Sequence, residues 1–565
     1  MDKNKINTYI GITIGPIYGT ISQTSSPAGM WAASYMFSML SLKLCEIFSE
    51  DMAVFSPNFE AAKKILAKKE GFGLIPDHLI FQYTKKYPDD EFMRNINARI
   101  AQAKNAVADI LGSENSTSDD IKKRRVFYDS YFQVHAILFE TGGNPIEASA
   151  QLLSAIELEK PFPIIDNDQF VLDYFDYKYK IRNNDEARMS RNKNIKGSAL
   201  VTNNIDLDKW QLINSSDGNN LDYHKMSLRE LVNIAGSHIR RNTTVKKMKK
   251  HSYYAIIQAD GDGIGSKICA LPPNEIDSFS KDLIQYAHSV STEVGVYGGV
   301  TIYAGGDDLL AIVPAEGKDD RNILTLLSNI KIKFQNIFDK YNAKLTLSAG
   351  CAIFYYKFPL YEAFVKAYQM LKVAKGANNS NLPKKNTLAL HMQKHSGQSV
   401  GLRFTNWSAN ECADELERLI IRLNKLIITK DPNNRNEENE KNEKILNSAT
   451  HKIRAFEKLF AFALKKGDLE IQSLFANILN DKNIEGNDEI QTYLSTIHKL
   501  LSLTKPEYLV ATDESDIRWF TEISEDSDQN YADEYKRLRA LDGMLRFAKF
   551  YLEEEDKRTD AYIIG

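Results

Sequence analysis

The sequence predicts an α+β fold with an all-α C-terminal region, and three observations support this prediction. Residues 253–375 are predicted to form β-α-β-β-α-β-α, the order of a ferredoxin-like unit. Within that unit, two apolar strands flank a Gly-Gly-Asp-Asp turn at 305–308, which is a hairpin pattern. Beyond Trp407, apolar residues recur at helical spacing instead of alternating.

The chain has 565 residues, which is too long for a single hydrophobic core. Its length predicts three or four domains of roughly 150 residues each. Hydrophobic residues make up 43% and charged residues 26%, the usual balance of a globular protein. The net charge is −3, so no overall positive field attracts nucleic acid. Contact with RNA or DNA would therefore need local patches or partner subunits.

Cysteine usage and hydropathy argue against several other classes of protein. The four cysteines are far apart and form no CxxC pair, so neither a disulfide framework nor a cysteine-rich zinc site is expected. No run of about 20 apolar residues is present, so no membrane span is predicted. The N-terminal apolar run is short and broken by glycines, as in a strand, and a cytoplasmic protein is expected.

The elements of the first 250 residues are predicted in chain order. Residues 6–15 form a buried strand, 30–48 a helix, and the segment 124–140 can include another strand. Residues 183–220 are rich in Asn, Asp, Ser and Lys, which predicts a long loop or insertion. Lys and Arg cluster at 240–250, and this cluster is either a solvated linker or a contact with a phosphate backbone.

The ferredoxin-like unit and the helical region follow. The predicted strands of the unit are 253–259, 300–303, 309–313 and 345–353. Its predicted helices are 274–290, 322–341 and 360–375. One helical stripe after Trp407 contains Leu416, Leu419, Ile420, Leu423 and Ile427. A polar spacer at 430–444 and helices near 450–465 and 533–552 complete the all-α region.

Carboxylates cluster at the predicted hairpin. Two glycines permit a tight turn, so Asp307 and Asp308 stand at the tip of a rigid hairpin. In a β-α-β-β unit the first strand lies beside this hairpin, which brings Asp260 to the same place. Crowded carboxylates repel unless a cation neutralises them, and magnesium prefers carboxylate and phosphate oxygens. Two such ions promote in-line phosphoryl displacement, so the pattern predicts metal-dependent nucleotidyl transfer.

Other interpretations of these motifs exist. Alone, Gly-Gly-Asp-Asp is often a plain hairpin turn, and the Asp-Gly-Asp-Gly at 260–263 is often a turn or a calcium-like loop. Their position at the ends of adjacent predicted strands favours a metal site. Residues 261–267 also resemble a phosphate-binding loop, but the lysine follows the serine and the glycine spacing is too short.

Taken together, the motifs resemble a known family over most of the chain. The sequence is similar to the large polymerase/cyclase subunit of type III CRISPR effector complexes, of the Cmr (type III-B) kind. The most specific matches are Asp260-Gly261-Asp262-Gly263-Ile264-Gly265, Ala304-Gly305-Gly306-Asp307-Asp308, Leu347-Ser348-Ala349-Gly350 and Ala374-Lys375. Generic nucleotide cyclases lack the matches at Ile14-Gly15-Pro16, Trp31-Ala32-Ala33-Ser34 and Gly73-Leu74-Ile75-Pro76.

This resemblance implies two ferredoxin-like palm domains, of which only the second is catalytic, and helical domains that bind other Cmr-type subunits. The expected domains are 1–180 (degenerate palm), 181–250 (variable insertion and helical linker), 251–400 (catalytic palm) and 401–565 (helical). The resemblance further implies activation by target RNA paired with the CRISPR guide RNA of the complex. The implied product is an adenylate second messenger made from ATP.

The resemblance also implies roles for single residues. Asp260, Asp307 and Asp308 would hold magnesium or manganese and support catalysis. Lys375 would approach the triphosphate of ATP, and Ser348 would lie near the nucleotide. The remaining nucleotide-binding positions implied are Gly261, Asp262, Gly263, Gly305 and Gly306.

The chain departs from the family pattern in two ways that remove functions. Many relatives begin with an HD nuclease, whose metal site needs a His-Asp pair. No His-Asp dipeptide occurs here, so DNA cleavage is not expected and the nuclease-lacking branch is predicted. Relatives also commonly carry a cysteine-rich zinc module in the first palm, and the scattered cysteines predict no zinc here.

A third departure adds negative charge to the first palm. Relatives usually have Pro-Asn-Arg where this chain has Pro76-Asp77-His78, and a basic segment where it has Glu157. An acidic pocket facing the ATP site favours a cationic acceptor over a second ATP. A nuclease-lacking branch of the family is thought to join ATP to S-adenosylmethionine, whose sulfonium is positive, and this product is favoured here.

Four other interpretations stay open. Asp77 and Glu157 can be ordinary surface acids, and the product can be a cyclic oligoadenylate made from ATP alone. The protein can also be a non-catalytic scaffold subunit or a free-standing dinucleotide cyclase. The intact carboxylates argue against a scaffold. The long helical C-terminal region argues against a free-standing cyclase.

Overall fold

The computed structural model describes residues 6–22, 24, 27–67, 73–83, 90–110, 118–158, 228, 252–318, 321–341, 345–376, 384–428, 450–479, 488–508 and 531–551. These residues form two β-sheets with packed helices and a helical region, which confirms the predicted α+β fold. Among them, no helix is both long and apolar enough to cross a membrane. The predicted insertion at 183–220, the basic cluster at 240–250 and the spacer at 430–444 lie outside the described residues.

The first sheet has four antiparallel strands in the order β2-β3-β1-β4, which fits a palm domain. Residues 9–14 of the central strand are all buried, because helices and neighbouring segments cover both faces of the sheet. The strands are β1 (Asn7–Gly15), β2 (Ala53–Ser56), β3 (His78–Tyr83) and β4 (Gln133–Thr141).

Six helices accompany this sheet: α1 (Ile17–Ser22), α2 (Pro27–Phe48), α3 (Phe59–Ala67), α4 (Asp90–Ile110), α5 (Ser118–Tyr131) and α6 (Pro145–Leu158). The predicted helix at 30–48 is part of α2, which buries Phe37, Leu40, Leu44 and Phe48. Each such side chain contributes about 1.5–3 kcal/mol by leaving water. The segment 124–140 spans the end of α5 and most of β4, so only its second part is a strand.

The second sheet has six strands in the order β10-β9-β8-β5-β7-β6. Its four strands β8-β5-β7-β6 are antiparallel neighbours and repeat the arrangement of the first sheet. The strands are β5 (Tyr253–Asp262), β6 (Val300–Tyr303), β7 (Leu309–Pro314), β8 (Thr346–Tyr355), β9 (Thr387–Gln393) and β10 (Ser399–Thr405). The associated helices are α7 (Ile264–Ala270), α8 (Pro273–Tyr297), α9 (Ile323–Phe338) and α10 (Leu360–Lys375).

The strands β9 and β10 extend the palm sheet beyond the predicted ferredoxin-like unit. β9 pairs parallel to β8, and β10 pairs antiparallel to β9. The two strands are short and nearly wholly buried, so their sequences lack the clear alternation that would have predicted them. β10 also crosses the predicted domain limit at residue 400, and its pairing places it in the palm sheet.

Five long helices lie in the described part of the C-terminal region: α11 (Glu411–Ile428), α12 (Glu457–Lys466), α13 (Asp468–Leu479), α14 (Asp488–Leu503) and α15 (Ala532–Phe550). The predicted stripe of α11 is buried at Leu416, Leu419 and Ile420. The end of α15 packs on the second palm, where the hydroxyl of Tyr551 donates to the carbonyl of Ala315 at 3.1 Å. The helical region therefore shares a core with the palm.

Polar contacts join the described residues of the two palms at three places. The backbone N–H of Asn58 donates to Oγ of Ser280 at 2.7 Å. The side-chain amide of Asn144 donates to the carbonyl oxygens of Ile268, Cys269 and Leu271 at the end of α7. The third contact is a parallel bridge between Gly73 and Tyr303, beside the Gly-Gly-Asp-Asp turn. This third contact joins the first palm directly to the predicted catalytic hairpin.

Candidate active site

The predicted carboxylates come together where β5 ends beside the turn that precedes β7. The antiparallel pairing aligns Ala259 with Leu309, so the end of β5 meets the start of β7. Asp307 and Asp308 lie in the turn that precedes β7, beside the end of β5. Gly306 has φ 67°, a value that L residues rarely adopt, which explains a glycine in this turn.

Gly261 allows the hairpin to lie directly against β5. A Cβ at this position would sit 2.8 Å from Cβ and from Oδ2 of Asp307. The Asp307 carboxylate therefore lies over the backbone that links Asp260 to Asp262. Any side chain larger than hydrogen at 261 would push the hairpin away from β5.

The clustered carboxylates raise one another's pKa values. Burial raises the pKa of Asp307 to about 7, and the charge of Asp260 adds to this shift. Burial and the charges of Asp307 and Asp260 also raise the pKa of Asp308 well above its usual range. Asp308 keeps exposed surface toward the cleft, so water screens part of this repulsion. The direction of both shifts indicates a shortage of positive charge at this edge.

Lys375, at the end of α10, supplies one positive charge to the cluster. Its Nζ lies 2.8 Å from Oδ1 of Asp260 and 2.7 Å from Oδ1 of Asp262. It also donates to the carbonyl oxygens of Asp260 and Gly261. Burial lowers the pKa of Lys375, but the two carboxylates outweigh burial and the pKa is raised overall.

Asp262 and Ser348 lie beneath the site. Asp262 is 3% exposed and Ser348 is fully buried. The Ser348 hydroxyl donates to Oδ2 of Asp262 at 2.8 Å, and Thr346 donates to the same oxygen at 2.9 Å. Neither side chain presents free surface for the nucleotide contact that was predicted. Their hydrogen bonds instead fix the end of β5, which carries Asp260.

The remaining predicted glycines line the loop and the turn. Gly263 follows the β5 carboxylates and precedes α7, a helix of seven residues. The carbonyl of Gly305 accepts a hydrogen bond from the N–H of Asp308 at 3.2 Å, which closes the turn. The ring of Tyr303 packs against Gly305.

The donor set fits a divalent cation, although the described residues contain no preformed group of three acidic, histidine or cysteine ligands. Burial and neighbouring carboxylates raise the pKa values of Asp307 and Asp308, and a bound cation would stabilise their charged forms. Asp260, Asp307 and Asp308 are the residues that would hold such a cation. Because Lys375 is bonded to Asp260, it would have to move or share this carboxylate.

The first palm places a second acidic group against the same cleft. The charge of Asp77 acts on both Tyr303 and Asp308, so it faces the hairpin across the palm–palm joint. Burial raises the pKa of Asp77, and Glu157 adds to this shift. The structure thus brings together Asp77 and Glu157, which sequence reasoning had paired only by resemblance.

Glu157 is less available than Asp77, because its carboxylate is already engaged. Its Oε1 lies 2.6 Å from Nε2 of His78 and accepts a hydrogen bond from the hydroxyl of Thr13. Burial alone would raise the pKa of Glu157, but these two bonds outweigh burial and the pKa is lowered. His78 and Glu157 are 40% and 44% exposed, so both can still meet a ligand.

Sequence reasoning missed three residues that shape this site: Tyr303, Thr346 and Asn386. Tyr303 had a signal, since it immediately precedes the turn and its ring fills the joint between the palms. Thr346 and Asn386 both bond to Asp262, but they lie far from it in sequence. Only the pairing of β8 with β5 brings Thr346 to this position.

Comparisons with known proteins agree with this geometry. Residues 253–389 match the family model described as Cas10/Cmr2, second palm domain. Residues 9–109 match the model described as CRISPR-associated protein Cmr2, N-terminal. Both matched regions are thus similar to Cas10/Cmr2 proteins. The family expected from the sequence motifs is thereby confirmed.

A curated relative and two solved structures resemble this Cmr2-like chain. CRISPR system Cmr subunit Cmr2 of Pyrococcus furiosus is 32% identical over 187 residues, which are 27% of this chain and 20% of the relative. The match thus spans one fifth of the relative's length. The type III-B Cmr-beta structure in the apo state covers 76% of both chains at 12% identity, with TM-score 0.50. Its counterpart bound to cognate target RNA gives TM-score 0.47 at 11% identity over 76% of this chain and 77% of that chain.

Proposed function

We propose that this Cmr2-like protein is a metal-dependent nucleotidyltransferase that uses ATP as its donor. The observation that carries the proposal is the cluster of Asp260, Asp307 and Asp308 where β5 ends beside the turn before β7, since burial and the neighbouring carboxylates raise the pKa values of Asp307 and Asp308. Such a cluster favours bound cations, and cations with a nearby lysine favour a triphosphate. A purely structural hairpin turn has no need for this unfavourable accumulation of charge.

The reaction is a displacement at phosphorus. An acceptor hydroxyl oxygen attacks the α-phosphorus of ATP, a new P–O bond forms, and the bond to the β-phosphate oxygen breaks. Pyrophosphate leaves and the hydroxyl proton passes to solvent. Divalent ions held by the carboxylates would lower the pKa of the attacking hydroxyl and bind the leaving phosphates.

The residues of the chain position the reactants. The carboxylates of Asp307 and Asp308 lie at the rigid tip of the hairpin, and Asp260 faces them from β5. Lys375 would turn from Asp260 toward the triphosphate, where its charge stabilises the leaving group. Asp262, with Ser348 behind it, keeps Lys375 near this position.

Family membership supports a place in a larger assembly. We infer that the chain is the large subunit of a type III-B effector complex in the cytoplasm, with other Cmr-type subunits and guide RNA. Target RNA would switch on its activity. The net charge of −3 supports this arrangement, because a subunit without a strong basic field benefits from partners that bind RNA.

The activity is tested with the assembled complex, labelled ATP, magnesium and target RNA. The Asp307→Ala, Asp308→Ala double variant should lose product formation by at least about a hundredfold while assembling normally. Asp119→Ala, at an exposed position paired with Lys123, is the control and should keep full activity. Product formation that survives the double variant rejects the palm mechanism. Absence of any product from wild-type complex supports the scaffold alternative.

We further propose that the acceptor is S-adenosylmethionine, so that the product joins AMP to this molecule. Asp77 supports this choice, because its charge acts on Asp308 and burial raises its pKa. A positive sulfonium nearby would stabilise the charged form of Asp77, whereas a second anionic ATP would be repelled. The ion pair of Glu157 with His78 makes Asp77 the stronger determinant of the two.

Labelled ATP with and without S-adenosylmethionine, followed by mass analysis, tests the acceptor. The expected product contains AMP and S-adenosylmethionine, and Asp77→Asn should reduce its yield relative to products made from ATP alone. Glu140→Gln, which also turns a carboxylate into an amide but lies at the other end of β4, opposite Thr8, is the control and should leave the product ratio unchanged. Adenylate rings or chains that are indifferent to S-adenosylmethionine would end this proposal and favour cyclic oligoadenylate.

A further inference from the structure

Asn386 precedes β9 in a backbone conformation that few L residues adopt. Its φ is 46°, and the neighbouring Lys385 has φ 70°. Asparagine tolerates this left-handed region better than most residues because its short polar side chain bonds locally. Such conformations persist only where surrounding contacts enforce them, and they cluster near functional sites.

Every polar group of Asn386 has a partner. Its N–H donates to Oδ2 of Asp262 at 2.8 Å, and its carbonyl accepts from the N–H of Trp407 at 2.7 Å. The side-chain Oδ1 accepts from the N–H of Ser408 at 2.8 Å. The side-chain Nδ2 donates to Oγ of Ser408 and to Oδ1 of Asn406. Asn386 therefore links Asp262, the last residue of β5, to the turn at 406–408.

The bond to Asp262 controls where Lys375 lies. Oδ2 of Asp262 accepts three hydrogen bonds, from Asn386, Thr346 and Ser348. With Oδ2 fixed in this way, Oδ1 faces Nζ of Lys375 at 2.7 Å. The carboxylate cannot rotate without breaking these bonds, so the position of Asn386 is transmitted to Lys375.

A cavity of about 340 Å³ lies beside Asn386 and is lined by Gln335, Thr346 and Ser408 among others. The turn at 406–408 is anchored separately by Lys331, whose Nζ donates to the carbonyl of Trp407 at 3.2 Å. This bond holds the turn without the side chain of Asn386.

We propose that Asn386 is a positioning residue for ATP. By holding Asp262, it sets Lys375 at the place where the triphosphate binds. The inference rests on the proposed function, because it requires that Lys375 meets ATP. Asn386 itself touches neither the substrate nor the reacting atoms in this arrangement.

Two substitutions separate the backbone role of Asn386 from simple loss of its side chain. Asn386→Gly retains the N–H and adopts φ 46° without strain, so its affinity for ATP should stay within about threefold of wild type. Asn386→Val disfavours this φ and pulls the N–H from Asp262, so its affinity should fall about tenfold. Calorimetry with a non-hydrolysable ATP analogue and magnesium measures both, using the full chain.

Asn406→Val is the matched control. Asn406 has φ 52° and lies in the turn at 406–408, where its Oδ1 accepts from the side chain of Asn386. It makes no bond to Asp262, so this variant removes side-chain support from Asn386 and leaves the backbone bond to Asp262 in place. This variant should lower the unfolding midpoint about as much as Asn386→Val while keeping ATP affinity within about threefold. Equal loss of affinity in both valine variants, or none in Asn386→Val, overturns the positioning role. Wild-type protein that does not bind the analogue instead overturns the proposed function, and this inference with it.

Discussion

The ammonium group of Lys375 supplies positive charge among the carboxylates of the second palm. Its Nζ lies within 3 Å of one oxygen each of Asp260 and Asp262. Two unit charges about 4 Å apart interact with roughly 4 kcal/mol at the effective dielectric constant of a protein surface. A divalent ion and the ammonium group therefore compete for Asp260.

Lys375→Met should strengthen the binding of manganese to the nucleotide-free protein by about tenfold, since the competing charge is gone. The same variant should weaken the binding of ATP, because the triphosphate loses a positive partner. Electron paramagnetic resonance of Mn²⁺ measures the first effect and calorimetry the second. Lys372→Met is the control, because Lys372 lies over the ring of Tyr368 and outside the cluster. Unchanged manganese affinity in Lys375→Met would contradict the competition.

The raised pKa of Asp307 predicts how the metal-free protein responds to pH. Because the folded pKa, about 7, exceeds the ordinary value of about 3.9, ionisation of Asp307 opposes folding. The resulting loss of stability accumulates as the pH rises from about 4 to about 7. Asp307→Asn should therefore raise the unfolding midpoint in EDTA at pH 8, and this advantage should shrink toward pH 4. A midpoint difference that is independent of pH would show that Asp307 titrates normally.

At the scale of elements, the hairpin β6–β7 depends on the first palm for its position. The N–H of Ala304 donates to the carbonyl of Gly73 at 2.8 Å, and the N–H of Gly73 donates to the carbonyl of Ile302 at 3.4 Å. A Cβ at residue 73 would lie 2.1 Å from Oγ of Ser34 and 2.9 Å from the ring of Tyr303. Gly73 therefore forms an isolated parallel bridge with Tyr303, on the outer side of β6, the edge strand of the second sheet.

Gly73→Ala should destabilise the protein by about 1–3 kcal/mol, because the added methyl group overpacks the joint. It should also reduce activity, since the hairpin tip that carries Asp307 would shift. Denaturant unfolding and the ATP assay measure the two effects. Gly295→Ala, in α8 where a Cβ meets no atom within 4 Å, should be neutral or slightly stabilising. Equal stability of both variants would contradict a tight joint at Gly73.

At the scale of the whole molecule, the C-terminal helices and the second palm share one hydrophobic core. The end of α15 lies against the palm sheet, where Phe550 packs edge-on against Tyr253. The hydroxyl of Tyr551 accepts from the N–H of Ile323 and donates to the carbonyl of Ala315. These two hydrogen bonds connect the C-terminal helices to the start of α9 and to the residue that follows β7.

Tyr551→Phe should lower the stability of the palm and helical region together by about 1–3 kcal/mol, because the buried N–H of Ile323 loses its partner, whereas the carbonyl of Ala315 keeps the hydrogen bond from Tyr297. Near-UV circular dichroism and a helix-specific probe should report one shared transition. Tyr361→Phe removes a hydroxyl from an exposed ring and should change stability by less than about 0.5 kcal/mol. Separate transitions for the helices and the palm would contradict the shared core.

The sequence alone determined the order of the palm elements and the location of the carboxylates. Period-2 and period-3.6 patterns are local, so the strand at β5, the hairpin and the helices α9 and α10 were predicted close to their observed bounds. The helix α8 begins as predicted but continues to Tyr297, seven residues beyond its predicted end. The hairpin prediction also placed Asp260 beside Asp307, because neighbouring strands in this topology follow from chain order. The motifs that carry the family resemblance lie in these same local segments.

Tertiary structure alone decided which groups those carboxylates meet. Asn386 and Thr346 reach Asp262 only through the pairing of β8 with β5 and the parallel addition of β9. The engagement of Glu157 by His78, and the position of Asp77 opposite Asp308, depend on how the two palms dock. Contacts between residues distant in the chain leave no periodic pattern in the sequence, so only the packed fold determines them.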